Sequence, residues 1–175
     1  MATPASRAGS LREYQLALSE RLQSAQAGAR IASKLGLQVG DEGWLVDLAE
    51  AGEVIPVPAV SAVPLARPWF KGVANVRGNL YCVTDFAAFL GGAPTRPGEQ
   101  CRLLLVNERF RSGAALLVER SLGLRDPEAL RQHGENAPRR PAFVRGVFAD
   151  AHGKLWRELD IPALVEHPAF LEASL

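Results

Sequence analysis

Groups that carry out catalysis are scarce in this chain. Its 175 residues include two cysteines, three histidines and one methionine. His133, His152 and His167 stand far apart, in predicted loops or at a helix end, and none lies at metal-ligand spacing from a cysteine or carboxylate. No G-x-S-x-G elbow, phosphate loop or dinucleotide fingerprint occurs. Cys82 and Cys101 each fall in an apolar strand, where cysteine is expected to act as a small buried hydrophobe. A reactive thiol wants a nearby cation or helix N-terminus, and neither is evident. Asp150 and His152 could be imagined as a base and its orienter, but a surface hairpin turn accounts for both. These absences leave a protein expected to have no enzymatic activity, no cofactor and no metal.

Charge and long apolar runs are missing too. The formal net charge is +1, which makes no electrostatic case for nucleic acid or membrane. Arg139, Arg140 and Arg145, with Arg125 and Arg131 upstream, form a modest basic cluster interleaved only by Phe143 and Phe148. A small-barrel binder of single-stranded nucleic acid is therefore the alternative from a different functional class, and a solvated loop is the simpler reading. No apolar run approaches the roughly 20 residues of a membrane helix. The most apolar neighbourhood, Val54 to Ala66, is interrupted by Pro56, Pro58 and Pro64. No signal-like stretch follows Met1, and two cysteines suit a reducing compartment, so a cytoplasmic protein without membrane insertion is expected.

What is present reads as β-structure between helices. Ser10-Leu11-Arg12-Glu13 fits a capping box, and Leu11, Tyr14, Leu18, Leu22, Ala25 and Ala29 recur on one face of a helix of about five turns. That stripe packs either on the parent domain or on a partner. After Gly36 the period becomes two: Leu35, Leu37 and Val39, a turn at Gly40 to Gly43, then Trp44, Val46 and Leu48. Glu53 to Pro58 reads as a strand that its prolines confine to an edge. Cys101 to Val106 is apolar on both faces, the pattern of a strand buried on two sides, and Gly113 to Val118 is its hairpin partner. Arg125 to Pro141 reads as an exposed loop with a short helical piece. A last hairpin turns at Asp150 to Gly153, and Asp160-Ile161-Pro162 starts a terminal helix. Pro168 breaks that helix, which Phe170 and Leu171 could continue. About eight to ten short strands in hairpins favour small barrels over a parallel sheet.

The most sharply punctuated stretch is Gly72 to Leu90. It contains two glycines around Val73-Ala74-Asn75-Val76-Arg77, an apolar strand Leu80 to Thr84, an aspartate cap at Asp85, and a half-turn of helix from Phe86 to Leu90. Arg77 is a charge in apolar company, which is costly unless paired or in water. It either pairs internally with Asp85 or serves as a recognition point.

This order of residues resembles the CheW-like coupling proteins of chemosensory arrays. Their signature of a glycine, an apolar pair, Asn, an apolar residue, Arg-Gly, an apolar strand and Asp is matched here from Gly72 through Gly78 and Leu80 to Asp85-Phe86. The resemblance spans about residues 33 to 165. Within the family, Gly43 to Val46, Val54 to Pro58 and Pro68-Trp69-Phe70 look most like the branch that serves twitching motility through type IV pili. Glu119 stands where an aspartate is usual, and Cys82-Val83-Thr84 where a proline often occurs.

The resemblance implies a mainly β fold of two intertwined five-stranded barrels, with an N-terminal helix and a short C-terminal one. Its expected limits are residues 33–167, preceded by a tail and amphipathic helix over 1–32 and followed by a tail over 168–175. It also implies an adaptor that joins the cytoplasmic tip of a chemoreceptor to the regulatory domain of a CheA-type histidine kinase, in a pilus array or, alternatively, a flagellar one. Gly72, Val73, Asn75, Arg77 and Gly78 are the expected partner-binding residues, with Asp85 and Phe86 structural. An arginine fork suits a carboxylate or carbonyl on the receptor, and glycines allow another backbone to approach.

Overall fold

The computed structural model describes residues 34–134 and 140–173. The helix expected over Leu11 to Ala29 lies outside them. The period-two segments form twelve strands: β1 Lys34–Val39, β2 Glu42–Asp47, β3 Ala51–Pro56, β4 Val60–Ser61, β5 Phe70–Val76, β6 Asn79–Asp85, β7 Arg102–Val106, β8 Ala114–Val118, β9 Arg120–Arg125, β10 Arg131–Gln132, β11 Val144–Ala149 and β12 Leu155–Leu159. Among the described residues three short α-helices accompany them, α1 Phe86–Phe89, α2 Ile161–Val165 and α3 Pro168–Leu171, with single 3-10 turns at Glu108–Phe110 and Pro127–Ala129.

Hydrogen bonding sorts the strands into two sheets, ordered β10-β11-β12-β2-β1-β9 and β3-β7-β8-β6-β5-β4. Each has five full strands and one two-residue edge strand, β10 or β4. The second sheet is continuous in sequence and interrupts the first, which β9 to β12 complete. The proline-bearing β3 is at an edge, as its sequence requires. Two pairings are parallel, β2 with β12 and β6 with β8. Hairpins alone were expected, because local alternation reports a strand and a turn but carries no record of a crossover partner. β9 is a further difference. Its residues alternate poorly between buried and exposed, so nothing in Arg120 to Arg125 marks a strand until β1 pairs with it.

β7 and β8 explain why two sheets make one body. Leu104, Val106, Leu116 and Val118 face Leu35, Leu37, Val39, Trp44 and Val46 of the first sheet. Leu103, Leu105 and Ala115 face the other way, onto Ala74, Tyr81 and Val83. Both strands are thus buried on two sides, as the apolar run from Cys101 to Val106 demands. Cys101 is buried with them, but Cys82 is exposed, contrary to expectation. It points to the face of β6 opposite Tyr81 and Val83, and nothing among the described residues covers it there.

The C-terminal end also differs from expectation. Pro168 does not merely end a helix; it occupies the first turn of a new one, α3, where a missing amide costs nothing. Part of the expected 168–175 tail therefore folds back. Phe170 is buried, with its ring parallel to Trp69 at 6.4 Å and edge-on to Phe89 at 5.4 Å. Ala173 O accepts the amide of Arg67 at 2.8 Å.

Phe86 anchors α1 in the shared core, fully buried and edge-on to Trp44 at 5.0 Å. Phe86→Ala should cost about 3–5 kcal/mol, seen as a lowered midpoint in chemical denaturation. An unchanged midpoint would show that α1 does not depend on that packing.

Candidate partner-binding site

The signature stretch folds as the β5–β6 hairpin. Val76 and Asn79 form its last cross-strand pair, so Arg77-Gly78 is a two-residue loop. Both have positive φ, 54° and 90°, as a type I′ connection requires. Asn75 Oδ1 accepts the Gly78 amide at 2.9 Å and closes the loop from within. Glycine suits its position. An arginine in left-handed backbone costs roughly 1–2 kcal/mol relative to its ordinary conformation.

Arg77 therefore stands at a hairpin tip, with its side chain 72% exposed. It meets Glu53 of β3 through two parallel bonds, Nη1 to Oε2 at 2.6 Å and Nη2 to Oε1 at 2.7 Å. These bonds hold the Glu53 carboxyl below its usual range. Nothing in the sequence around Arg77 announces this partner, which lies 24 residues earlier.

The alternative pairing of Arg77 with Asp85 does not form, because Asp85 ends β6 far from the tip. It is completely buried and serves as the N-cap of α1, accepting from the Ala88 amide. It also accepts the Thr95 amide and hydroxyl, each at 2.9 Å, and Lys71 Nζ lies 3.4 Å away. Asp85 thus begins α1, and Phe86, the first residue of that helix, is buried beside it.

The remaining expected contact residues divide. Val73 is half-buried and shares a face with Cys82. A Cβ on Gly78 would meet nothing within 4 Å, whereas one on Gly72 would lie 2.0 Å from Ser61 O. The backbone that Gly72 admits is thus the chain's own β4.

A second polar cluster joins the sheets. Arg145 Nε donates to Asp160 Oδ2 at 2.9 Å, and its Nη2 donates to Glu50 Oε1. Glu50 Oε2 accepts the Ile161 amide at 3.3 Å. Glu50 leads into the second sheet while Arg145 and Asp160 belong to the first. No local pattern marked Glu50 beforehand.

The basic cluster is dispersed by the fold. Arg145 is engaged as above, the Arg125 guanidinium lies 4.8 Å over Trp156, Phe143 is buried, and Arg139 lies outside the described residues. Asp150 and His152 make a hairpin turn. The Trp156 indole N–H and the Lys154 and His152 amides bond the Asp150 carboxylate and hold its pKa low. Among the described residues no three potential metal ligands gather, and no helix is long and apolar enough to cross a membrane.

Comparison with known proteins agrees with the hairpin's signature. The model of the CheW-like domain matches residues 34–169. The chain belongs to the CheW-like family. Its CheW-like domain takes in all twelve strands and both terminal short helices in part or whole. Over 161 residues the chain is 29% identical to Protein PilI of Pseudomonas aeruginosa, covering 90% of this chain and 89% of that one. Its fold is similar to that of the scaffolding protein TtCheW from Thermoanaerobacter tengcongensis, with a TM-score of 0.61 and 18% identity over 73% of this chain and 88% of that one.

The sheet-joining cluster of this CheW-like domain sets a pH dependence. Burial opposes the charged form of Asp160, but the Ala163 amide and the Arg145 guanidinium outweigh it and lower its pKa. A lowered folded pKa gives stability that is present above the unfolded value of about 3.9 and lost as pH falls through the folded one. Asp160→Asn, which keeps a capping oxygen, should cost about 1–2 kcal/mol at neutral pH. The difference from the native chain should shrink as pH falls below about 4, measured by urea denaturation at each pH. A difference that stays constant would remove Asp160 from the acid response.

Proposed function

We propose that this CheW-like protein is a non-enzymatic adaptor coupling the cytoplasmic tip of a chemoreceptor to a CheA-type histidine kinase, in an array that controls twitching motility through type IV pili. It would be cytoplasmic and recruited to membrane-associated receptors. Likeness to PilI along nearly the whole of both chains favours the pilus pathway over a flagellar one. The observation that carries the adaptor reading is the tip of the β5–β6 hairpin. An arginine is held there in costly backbone, largely exposed to solvent, with its fork already aligned by Glu53. An ion pair this exposed contributes little to stability. A strained residue that contributes little to the fold is explained by what it meets outside the fold.

In this reading Arg77 reads a carboxylate or carbonyl of the receptor, for which its planar fork suits. Glu53 orients it. Gly78 leaves space for the approaching chain, Val73 offers apolar contact, and Asn75 and Gly72 set the hairpin's shape.

Arg77→Asn separates recognition from folding, because Asn-Gly is the preferred type I′ pair. The variant should keep or raise the thermal midpoint while receptor capture in a pull-down falls by about tenfold or more. Receptor and kinase captured as by the native chain would reject a contact role for Arg77. Genomic neighbours encoding pilus components would support the pathway, and flagellar neighbours would overturn it.

A further inference from the structure

The core inside the second sheet opens at one side into a cavity of about 670 Å³. Val60 of β4, Val83 of β6, Leu117 of β8 and Cys101, just before β7, line it. Val83 and Cys101 are buried, and Val60, Val83 and Leu117 pack with Ala74 and Tyr81. Val83 opposes Gly72, whereas Val73 opposes Cys82 on the other face of the β5–β6 pair. The cavity is therefore separate from the surface assigned above to the receptor. Pro94 and Pro97, in the loop before β7, complete its apolar lining. Small-molecule sites have this character, with volumes of roughly 300–1,000 Å³, apolar walls and a few placed polar groups.

The placed groups here are cations. Lys71 and Arg96 line the cavity, and among the described residues no carboxylate does. The amide and hydroxyl of Thr95 are taken up by Asp85. Lys71 Nζ lies 3.4 Å from Asp85 Oδ2, beyond the ~2.7–2.9 Å of a charge-assisted hydrogen bond. The buried Asp85 offsets one of the two cations, so a single positive charge is left over. It rests on Arg96, which is exposed and has no ion pair among the described residues.

We propose that this cavity binds a medium-chain fatty-acid anion, with its alkyl chain against Val60, Val83 and Leu117 and its carboxylate on the Arg96 fork beside Lys71. One excess positive charge matches one carboxylate, and a guanidinium holds it through two parallel bonds. A peptide fits less well. A strand added beside β4 would find an edge of two residues, Val60–Ser61, and Pro94 and Pro97 have no amide to donate. An alkyl chain asks for no backbone partners.

Calorimetric titration with octanoate, kept below its micelle-forming concentration, should show saturable binding at one site per chain. Affinity should rise about fourfold with each methylene added between hexanoate and octanoate. Octanol, which has the chain without the charge, should bind about tenfold more weakly. Arg96→Gln should lower octanoate affinity by about tenfold and leave octanol binding unchanged. Val57→Glu, a substitution at an exposed position that puts a carboxylate into the lining, should also weaken octanoate while the thermal midpoint stays as in the native chain. Failure of octanoate to bind saturably would overturn the proposal. So would octanol binding as tightly as octanoate, or native octanoate affinity in the Arg96→Gln chain.

Discussion

The fold depends on one carboxylate kept entirely out of water. Burying Asp85 as an ion is expensive, and only a complete set of partners makes it tolerable. Those partners come from three places: the first turn of α1, Thr95 in the loop before β7, and Lys71 of β5. None can leave without stranding the charge. Asp85 therefore fixes the start of α1, the path of the following loop and the end of the β5–β6 hairpin together. α1 in turn sets the positions of Phe86 and Phe89. Trp44 packs against the first, and Trp69, Phe143 and Phe170 against the second. The C-terminal helices are held by aromatic contact to an element that a single aspartate begins.

The two sheets meet in two chemically different ways. In the interior, β7 and β8 present apolar side chains to both sides, one set packing against the first sheet and the other forming a core within the second. At one end, Glu50, Arg145 and Asp160 bridge them with directed bonds. The apolar contact supplies most of the free energy, and the polar bridge fixes orientation. The proposed partner recognition would draw on that division. A hairpin tip is a precise contact only if the sheet behind it cannot rotate, and the buried β7 and β8 hold that sheet against the first.

Much of this was legible in the residues. The first hairpin could be read from alternating Leu35, Leu37 and Val39, a glycine-led turn and Trp44. Asp85 and Asp160 announced their helices because capping is a local bond. The doubly buried β7 showed in its unbroken apolar run. What could not be read were the long-range pairings. Glu53 is as ordinary in sequence as any exposed carboxylate, and only the meeting of β3 with the β5–β6 tip gives it a role. Glu50 stands between two alanines and gains its importance from residues about a hundred positions later. Cys82 was misjudged because an apolar strand has two faces, and its sequence does not say how far the next layer extends. β9 depends on β1 for its existence as a strand.

The insertion of one sheet inside the other has a consequence for how the chain is made. The second sheet, β3 to β8, is a continuous run and can close while synthesis continues. The first cannot. β2 pairs with β12, and that parallel partner ends at Leu159. Until those residues emerge from the ribosome, Trp44 and Val46 lack much of the surface that buries them, because Leu159, Ile161 and Leu164 belong to the same core. A nascent chain would carry a finished sheet beside an open apolar edge for the length of some forty further residues, several seconds at ordinary rates of translation. For this protein the interval between synthesis and solubility is set by where the last strand is encoded, and that interval is when the chain has most need of a chaperone.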